Sequence, residues 1–308
     1  MTADVLVVNA GSTSLKLSVV APDGSAERLE SLEDAAGREL LAAGHRVVHG
    51  GARFRDPVVI DDEVEATIRE LTTLAPLHNA PALRGIDAAR RALPELPQVA
   101  VFDTAFHADL PPEASTYAVP ARWRDDWGVR RYGFHGLSVQ WAAEQVPVPR
   151  LVVCHLGGGC SVTAVLEGRS VDTTMGFSPL EGVPMATRSG SVDPGALVYL
   201  LQERGLSVDE LDDALEHASG LLALGGLDEP LGFAVYTYRV ACAVAAAAVA
   251  LGGLDAVAFT AGVGENRADV RDAVAARLAF LEPFRVEVVH AREDVVIARA
   301  VRALLGAS

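Results

Sequence analysis

Three glycine-containing turns carry the polar groups in this sequence best suited to an anion. Asn9-Ala-Gly-Ser-Thr-Ser-Leu-Lys16 brings Asn9, Ser12 and Lys16 to one turn. Small hydroxyls and backbone amides can hold phosphate oxygens, and an ammonium adds a compact charge. The G-x-x-x-x-G-K-[ST] spacing of a P-loop is absent, and an ordinary β-hairpin reads the same way. In the second turn, Gly157-Gly158-Gly159, consecutive glycines cost backbone entropy that close approach of a ligand would justify; a plain loop also fits. The third, Gly262-Val263-Gly264-Glu-Asn266, lies between a strand and a helix, where ligands of open α/β sheets bind, although the third glycine of a dinucleotide fingerprint is missing.

Other residues add charge to this picture. In Gly44-His-Arg-Val-Val-His-Gly-Gly51 the two-residue period of a strand puts Arg46 and Val48 on one face and His45, Val47 and His49 on the other. A guanidinium beside a small apolar side chain suits a short anion with an alkyl tail. Asp103 ends an apolar run, a position suited to a Mg²⁺ ligand or to capping a turn. His135 lies between the glycines of Tyr132-Gly-Phe-His-Gly136, and Arg188 lies in Thr187-Arg-Ser-Gly-Ser-Val-Asp-Pro194. A structural histidine and a surface arginine are the plain alternatives. His45 and His49 would share a face only in a helix, which Gly50-Gly51 argues against. With no C-x-x-C or H-E-x-x-H spacing, a structural zinc site is excluded.

The elements that must hold these residues alternate between strand and helix. Strands are expected at Val5–Asn9, Leu15–Val20, His45–His49, Val99–Asp103, Leu151–Leu156, Ser161–Leu166, Ala256–Thr260 and Arg285–Val289. Helices are expected at Asp62–Leu74, Pro81–Leu93, Val208–His217 behind a Ser207/Glu210 capping box, Glu229–Leu251, after Asn266 to about Phe280, and Arg292–Leu305. Residues 21–44 read as polar, with at most one short helix. The class is α/β. An internal repeat overlays Val5–Gly11 on Leu151–Gly157 at an offset of 146 residues, matching Val7 with Val153, Gly11 with Gly157 and Val19 with Val165. If real, it implies two related domains facing each other across a cleft, each with a backbone-lined turn suited to a phosphate.

Composition narrows the classes. The 308 residues carry 26 basic and 41 acidic side chains, a net charge of −15. A sequence pI near 4.9 argues against sequence-independent nucleic-acid binding. Apolar residues make up 50%, which argues against disorder. The longest apolar run, Val240–Leu251, has 12 residues, short of the roughly 20 that span a bilayer, and reads as a buried helix. No signal-peptide pattern opens the sequence, so a cytoplasmic location is expected. Cys154, Cys160 and Cys242 are odd in number and lie in apolar stretches, so buried, reduced thiols are expected. Lys16 is the only lysine, in a chain whose other basic residues are all arginine.

Together these segments resemble the acetate kinase (acetokinase) family, within the acetate and sugar kinase, Hsp70 and actin superfamily. The matching stretches are Asn9–Lys16, Gly44–Gly51, Ala75–Asn79, Phe102–His107, Tyr132–Gly136, Cys154–Ser161, Met175–Gly182, Thr187–Pro194 and Phe259–Asn266, in family order. The resemblance implies two duplicated actin-like (ribonuclease H-like) domains flanking an active-site cleft. The expected N-terminal domain is 1–104 completed by helix 295–308, and the nucleotide-binding domain is 105–294. It also implies Mg²⁺-dependent (or Mn²⁺-dependent), reversible phosphoryl transfer between ATP and acetate or another short carboxylate such as propionate, in a homodimer. Arg46 and Arg188 would flank the carboxylate and the moving phosphoryl group, and His135 would donate a hydrogen bond to it. Asn9, Asp103 and Glu293 would serve the metal. Asn9, Ser12, Lys16, His155, Gly157, Gly158 and Gly159 would line the phosphates, while Gly262, Val263, Gly264 and Asn266 would lie in the nucleotide site. Val48, Leu77, Phe134 and Pro179 would form the acyl pocket.

The chain also departs from that family pattern. Residues 21–44 replace a longer region. Leu221-Leu-Ala-Leu-Gly-Gly-Leu-Asp-Glu-Pro230 stands where the family has an arginine- and aspartate-bearing adenosine contact. Gly158 replaces an asparagine, and Arg292-Glu293 stands for an Asn-Glu pair. These losses fall on the donor side. They leave open a different donor, such as pyrophosphate or another nucleotide, and a catalytically weak binding or regulatory paralogue.

Overall fold

The computed structural model describes residues 4–10, 15–73 and 76–307, with the backbone alone at 73 and 76–78. Its strands are β1 (Asp4–Ala10), β2 (Leu15–Val20), β3 (Ala26–Leu29), β4 (Leu40–Val47), β5 (Val58–Val59), β6 (Gln98–Phe102), β7 (Arg150–Leu156), β8 (Cys160–Leu166), β9 (Arg169–Thr173), β10 (Ala256–Thr260) and β11 (Arg285–Val288). The helices are α1 (Asp62–Glu70), α2 (Pro76–Ala92), α3 (Pro112–Ser115), α4 (Ala121–Asp125), α5 (Gly136–Gln145), α6 (Pro194–Glu203), α7 (Val208–His217), α8 (Gly220–Ala223), α9 (Pro230–Leu251), α10 (Ala261–Asn266), α11 (Ala268–Arg277) and α12 (Glu293–Leu304).

Two compact units divide the chain. The first joins Met1–Ala108, Phe134–Trp141 and Arg292–Ser308. Its sheet runs β3-β2-β1-β4-β6-β5. Parallel strands covered on both faces read as continuous apolar runs, and β1 shows why. Val5 and Val7 face a cluster with Val295, Ile297 and Val301 of α12. Leu6 and Val8 face the opposite cluster, which includes Ala89 of α2. Each such side chain contributes about 1.5–3 kcal/mol by leaving water. Gly44 of β4 has no room for a side chain, since a Cβ would lie 2.7 Å from Ile297 Cγ2 and 2.8 Å from Val301 Cγ2. Helix α12 therefore packs directly on bare strand backbone.

The second unit joins Asp109–Gly133 and Ala142–Ala291, around a sheet ordered β11-β10-β7-β8-β9. Read from the other edge, this is the order of the first sheet without β5. In both, the first three strands pair antiparallel and the next two join parallel. The internal repeat is thus a repeat of topology. The capping box of α7 forms in both directions between Ser207 and Glu210. Helix α9, at 22 residues, is long and apolar enough to cross a membrane by length and composition. It packs against β7, β8, β9 and α11 as a core helix.

Several expectations are corrected. Residues 21–44 hold strand β3 and the start of β4, which spans Leu40–Val47, not His45–His49. Three of the four residues of β3 are exposed, so it is held by pairing with β2 and gives no apolar pattern. Helix α2 begins at Pro76 and carries Pro81 inside it. The helix expected after Asn266 is confined to α11, ending at Arg277 and followed by a 3-10 turn. Cys154 and Cys160 are buried, whereas Cys242 lies on the outer face of α9 and is exposed.

Candidate active site

In the first unit, four segments far apart in sequence deliver one charged cluster. Arg46 comes from the C-terminal end of β4, Asp103 follows β6, Asn9 is near the end of β1, and Glu293 starts α12. Arg46 Nη2 donates to Asp103 Oδ2 in a close ion pair. Arg46 Nη1 donates to Asn9 Oδ1 at 3.4 Å, and Arg46 Nε lies 3.7 Å from Glu293 Oε2. Asn9 Nδ2 donates to the same Glu293 oxygen at 3.0 Å. Burial opposes the Arg46 charge, but Asp103 and Glu293 outweigh it and raise its pKa. Burial also pushes the Asp103 carboxyl above its ordinary range; Arg46 opposes this and Glu293 adds to it.

The Asp103 backbone is fixed as well. Its N–H donates to Val47 O and its carbonyl accepts from Gly136 N–H, both at 3.0 Å. A Cβ on Gly136 would sit 2.1 Å from that carbonyl, so glycine is needed for the approach. The neighbouring His135 has φ +59, an uncommon left-handed conformation for a residue with a side chain. Strain of this kind costs of order 1–3 kcal/mol and clusters at functional sites. Phe134 is fully buried, edge-on to the His49 ring at 5.3 Å, and its carbonyl accepts from His107 Nε2 at 3.0 Å. Val48 is buried nearby in sequence, while the Leu77 side chain and Ser12 lie outside the described residues. Lys16 is exposed on β2, in register with Asn9.

In the second unit, Arg188 is held on two sides. Nη1 donates to Pro179 O at 2.8 Å, and Nε lies 3.7 Å from Glu216 Oε2. Burial lowers the Arg188 pKa, Glu216 opposing, and it raises that of Glu216. The Pro179 loop is braced by Glu181, which accepts from Arg131 Nη2 at 2.9 Å and from the Tyr117 hydroxyl. The glycine turn after β7 adjoins the start of helix α10, so Gly262–Asn266, expected as a turn, is helical. His155 of β7 pairs with Thr260 of β10, and a Cβ on Gly157 would lie 3.3 Å from Ala261 Cβ. Added side chains at Gly158 or Gly262 would meet nothing within 4 Å, so both backbones are open to approach. Asn266 Nδ2 donates back to Gly262 O at 2.8 Å.

Sequence reasoning missed Glu216 and Asn79, which hold Arg188 and the segment after Arg46. Asn79 accepts from His49 N–H at 2.9 Å and donates to His49 O at 3.0 Å, fixing the segment after Arg46. Its place in Ala75–Asn79 was the available signal. An acid such as Glu216 reads as an ordinary solvated side chain.

The sequence model of the acetokinase family matches residues 26–299. The chain belongs to the acetokinase family. An acetate kinase from Nostoc punctiforme is 42% identical over 307 residues, covering 85% of this chain and 76% of that protein. Among solved structures, a propionate kinase from Francisella tularensis superposes with a TM-score of 0.89 at 31% identity, over 97% of this chain and 98% of its own. An acetate kinase from Porphyromonas gingivalis gives 0.83 at 31%, over 98% and 100%. These likenesses carry the two-domain, actin-like fold onto this member of the acetokinase family.

The donor set of this acetokinase-family chain suits a hard divalent cation. Asp103 Oδ1 is buried with no donor in close hydrogen-bond geometry, although the Leu137 N–H favours the charged carboxylate. Glu293 and the Asn9 amide add oxygen donors of the kind Mg²⁺ takes. Among the described residues there is no cluster of three His, Cys, Asp or Glu, so the side-chain set is two carboxylates and an amide.

Proposed function

We propose that the chain transfers a phosphoryl group reversibly between ATP and a short carboxylate, acetate or propionate. The observation that carries this reading is the Arg46–Asp103–Glu293–Asn9 cluster, present within a chain of the acetokinase family. A carboxylate substrate is ionised at pH 7, since ordinary carboxyl pKa values are about 4, so no general base is required. The difficulty is bringing one anion to another and stabilising the equatorial oxygens of a loose transition state. Fixed guanidinium groups, Arg46 and Arg188, answer it at low reorganisation cost. Their acid partners set their direction: Asp103 and Glu293 hold Arg46, and Glu216 with the Pro179 carbonyl holds Arg188. His135 would donate to the transferring group, and Val48, Leu77, Phe134 and Pro179 would take the alkyl end.

Asp103 and Glu293, with Asn9, would hold Mg²⁺ (or Mn²⁺) directly or through water, where it would neutralise developing phosphoryl charge. The segments at Asn9–Lys16, His155–Gly159 and Gly262–Asn266 would line the donor's phosphates. The net charge of −15 is no obstacle, because a positive field is needed only around the reacting anions. A cytoplasmic homodimer is the corresponding cellular form, testable by light scattering of the purified protein.

The purified chain with Mg²⁺ and acetate or propionate, given ATP, GTP or pyrophosphate in turn, tests the proposal by trapping acyl phosphate as hydroxamate. ATP-dependent acyl phosphate is the expected result. The segment Leu221–Pro230, with Leu222 60% exposed and no arginine, favours weak base recognition. Turnover with pyrophosphate alone would therefore correct the donor, and no turnover with any donor would sink the enzymatic reading.

A further inference from the structure

Glu265 is the one acid of helix α10, which holds Gly262–Asn266, and its carboxylate is fully engaged. Oε1 accepts from the Ala261 N–H and from the Ala291 N–H, both at 3.0 Å. Oε2 faces His290 Nδ1 at 2.6 Å. The side chain is only 16% exposed. Burial works against its charge, but the Ala291 N–H, His290 and the Ala261 N–H prevail and hold it below the usual carboxyl range.

The partner at the start of α10 is unusual. Ala261 has φ +66, in the left-handed region that a residue with a Cβ adopts at a cost. It is the joint between β10 and α10, and it sets the direction in which Gly262–Gly264 leave the sheet. A strained joint persists when its surroundings over-determine it, and the Glu265 carboxylate supplies one such constraint from four residues ahead. The same oxygen reaches Ala291, so the start of α10 is tied to the segment that follows edge strand β11.

We infer that Glu265 is a positioning residue for the nucleotide: its carboxylate holds Ala261 in the left-handed conformation that presents the Gly262–Gly264 backbone to a nucleoside di- or triphosphate. The inference rests on the reading of this segment as part of the nucleotide site.

Glycine adopts positive φ without the Cβ penalty, so Ala261→Gly removes the need for the constraint. That gives the test. ADP affinity is measured by calorimetry for the wild type, Glu265→Ala, Glu265→Gln and the double variant Glu265→Ala/Ala261→Gly, alongside amide exchange at Ala261 and Ala291 without nucleotide. Glu265→Ala should weaken ADP about tenfold, a loss of the size expected from releasing one strained joint, and should expose both amides to faster exchange. Glu265→Gln, which keeps an acceptor oxygen, should retain most of the affinity, and the double variant should recover most of what Glu265→Ala loses. A merely structural acid would leave Ala261→Gly without this rescuing effect. Wild-type affinity and protection in Glu265→Ala would overturn the inference, as would a folded double variant no better than Glu265→Ala. If the wild type bound no ADP, the nucleotide reading would fall by itself. The amide protection would then decide whether Glu265 holds the segment.

Discussion

Arg46→Ala should separate what the cluster does for stability from what it does for chemistry. The Arg46 side chain is 15% exposed and that of Asp103 is 0%, so removing the guanidinium strands a buried carboxylate. Breaking a buried pair from one side costs about 3–5 kcal/mol. Protonation limits that loss: neutralising a carboxyl of ordinary pKa at pH 7 costs about 4 kcal/mol. Burial already raises Asp103 in the native protein, so part of that ceiling is already present and the added loss should be about 1–2 kcal/mol. The stranded carboxyl has a folded pKa above its unfolded one. Its penalty is therefore present at pH 7 and shrinks as pH falls toward 5. Arg46→Ala/Asp103→Asn removes the stranded charge and should recover at least half of the lost stability. Urea unfolding at both pH values measures this. The kinetic effect should not recover, because an anion contact of this type is worth about 10²–10³ in rate and the double variant also lacks a proposed metal ligand. A double variant no more stable than Arg46→Ala would refute the stranded-charge argument. Unchanged kcat/KM in Arg46→Ala would refute the catalytic one.

Arg188→Ala should lower kcat/KM for acyl phosphate formation by about 10² or more, since the Pro179 carbonyl and Glu216 hold the guanidinium in a fixed direction; a wild-type value would remove it from the mechanism. Lys16→Arg should lower kcat/KM about tenfold, because a planar guanidinium replaces a compact ammonium, and wild-type kinetics would make the lone lysine a coincidence of composition. His45 and His107 are both pulled down to about 4 by burial. Between pH 6.5 and 4 the unfolded chain therefore binds protons that the folded chain refuses, and stability falls on acidification. Each histidine accounts for about 2 kcal/mol at pH 5, so His107→Gln should shrink the pH 7 to pH 5 stability difference by that amount in urea unfolding.

Strands such as Ala256–Thr260 were legible in the sequence because they are buried on both faces and so are apolar throughout. Strand β3 was not legible, because Ala26–Leu29 owes its state to hydrogen bonds with β2 and has one buried residue. Pro81 read as a helix start, yet helix α2 runs through it, and the buried contacts of Ala82, Leu83 and Ile86 override the local disruption. Cys242 looked buried because its run is apolar all round, and only the packing of α9 shows which side faces out. For the site, residue types and spacing pointed to Arg46 and Asp103, while Arg188 was singled out by the family resemblance. The resemblance also placed Asn9 and Glu293 together, but the hydrogen bond between them, across 284 positions, needed the fold. Periodicity also cannot tell a bonded acid from a solvated one, which hid Glu216 and Glu265.

The closeness of α12 to Gly44 has a consequence for synthesis. The strands of the first unit's sheet are complete by Phe102, but the helix that packs on Val5, Val7, Val99 and Val101 begins only at Glu293. Until residues 293–304 leave the ribosome, that face of the sheet lacks the cover of α12 and Arg46 lacks its Glu293 partner. In the interval between Phe102 and Glu293 the nascent chain thus carries apolar side chains that α12 has yet to bury. The charged cluster is completed only with the arrival of α12.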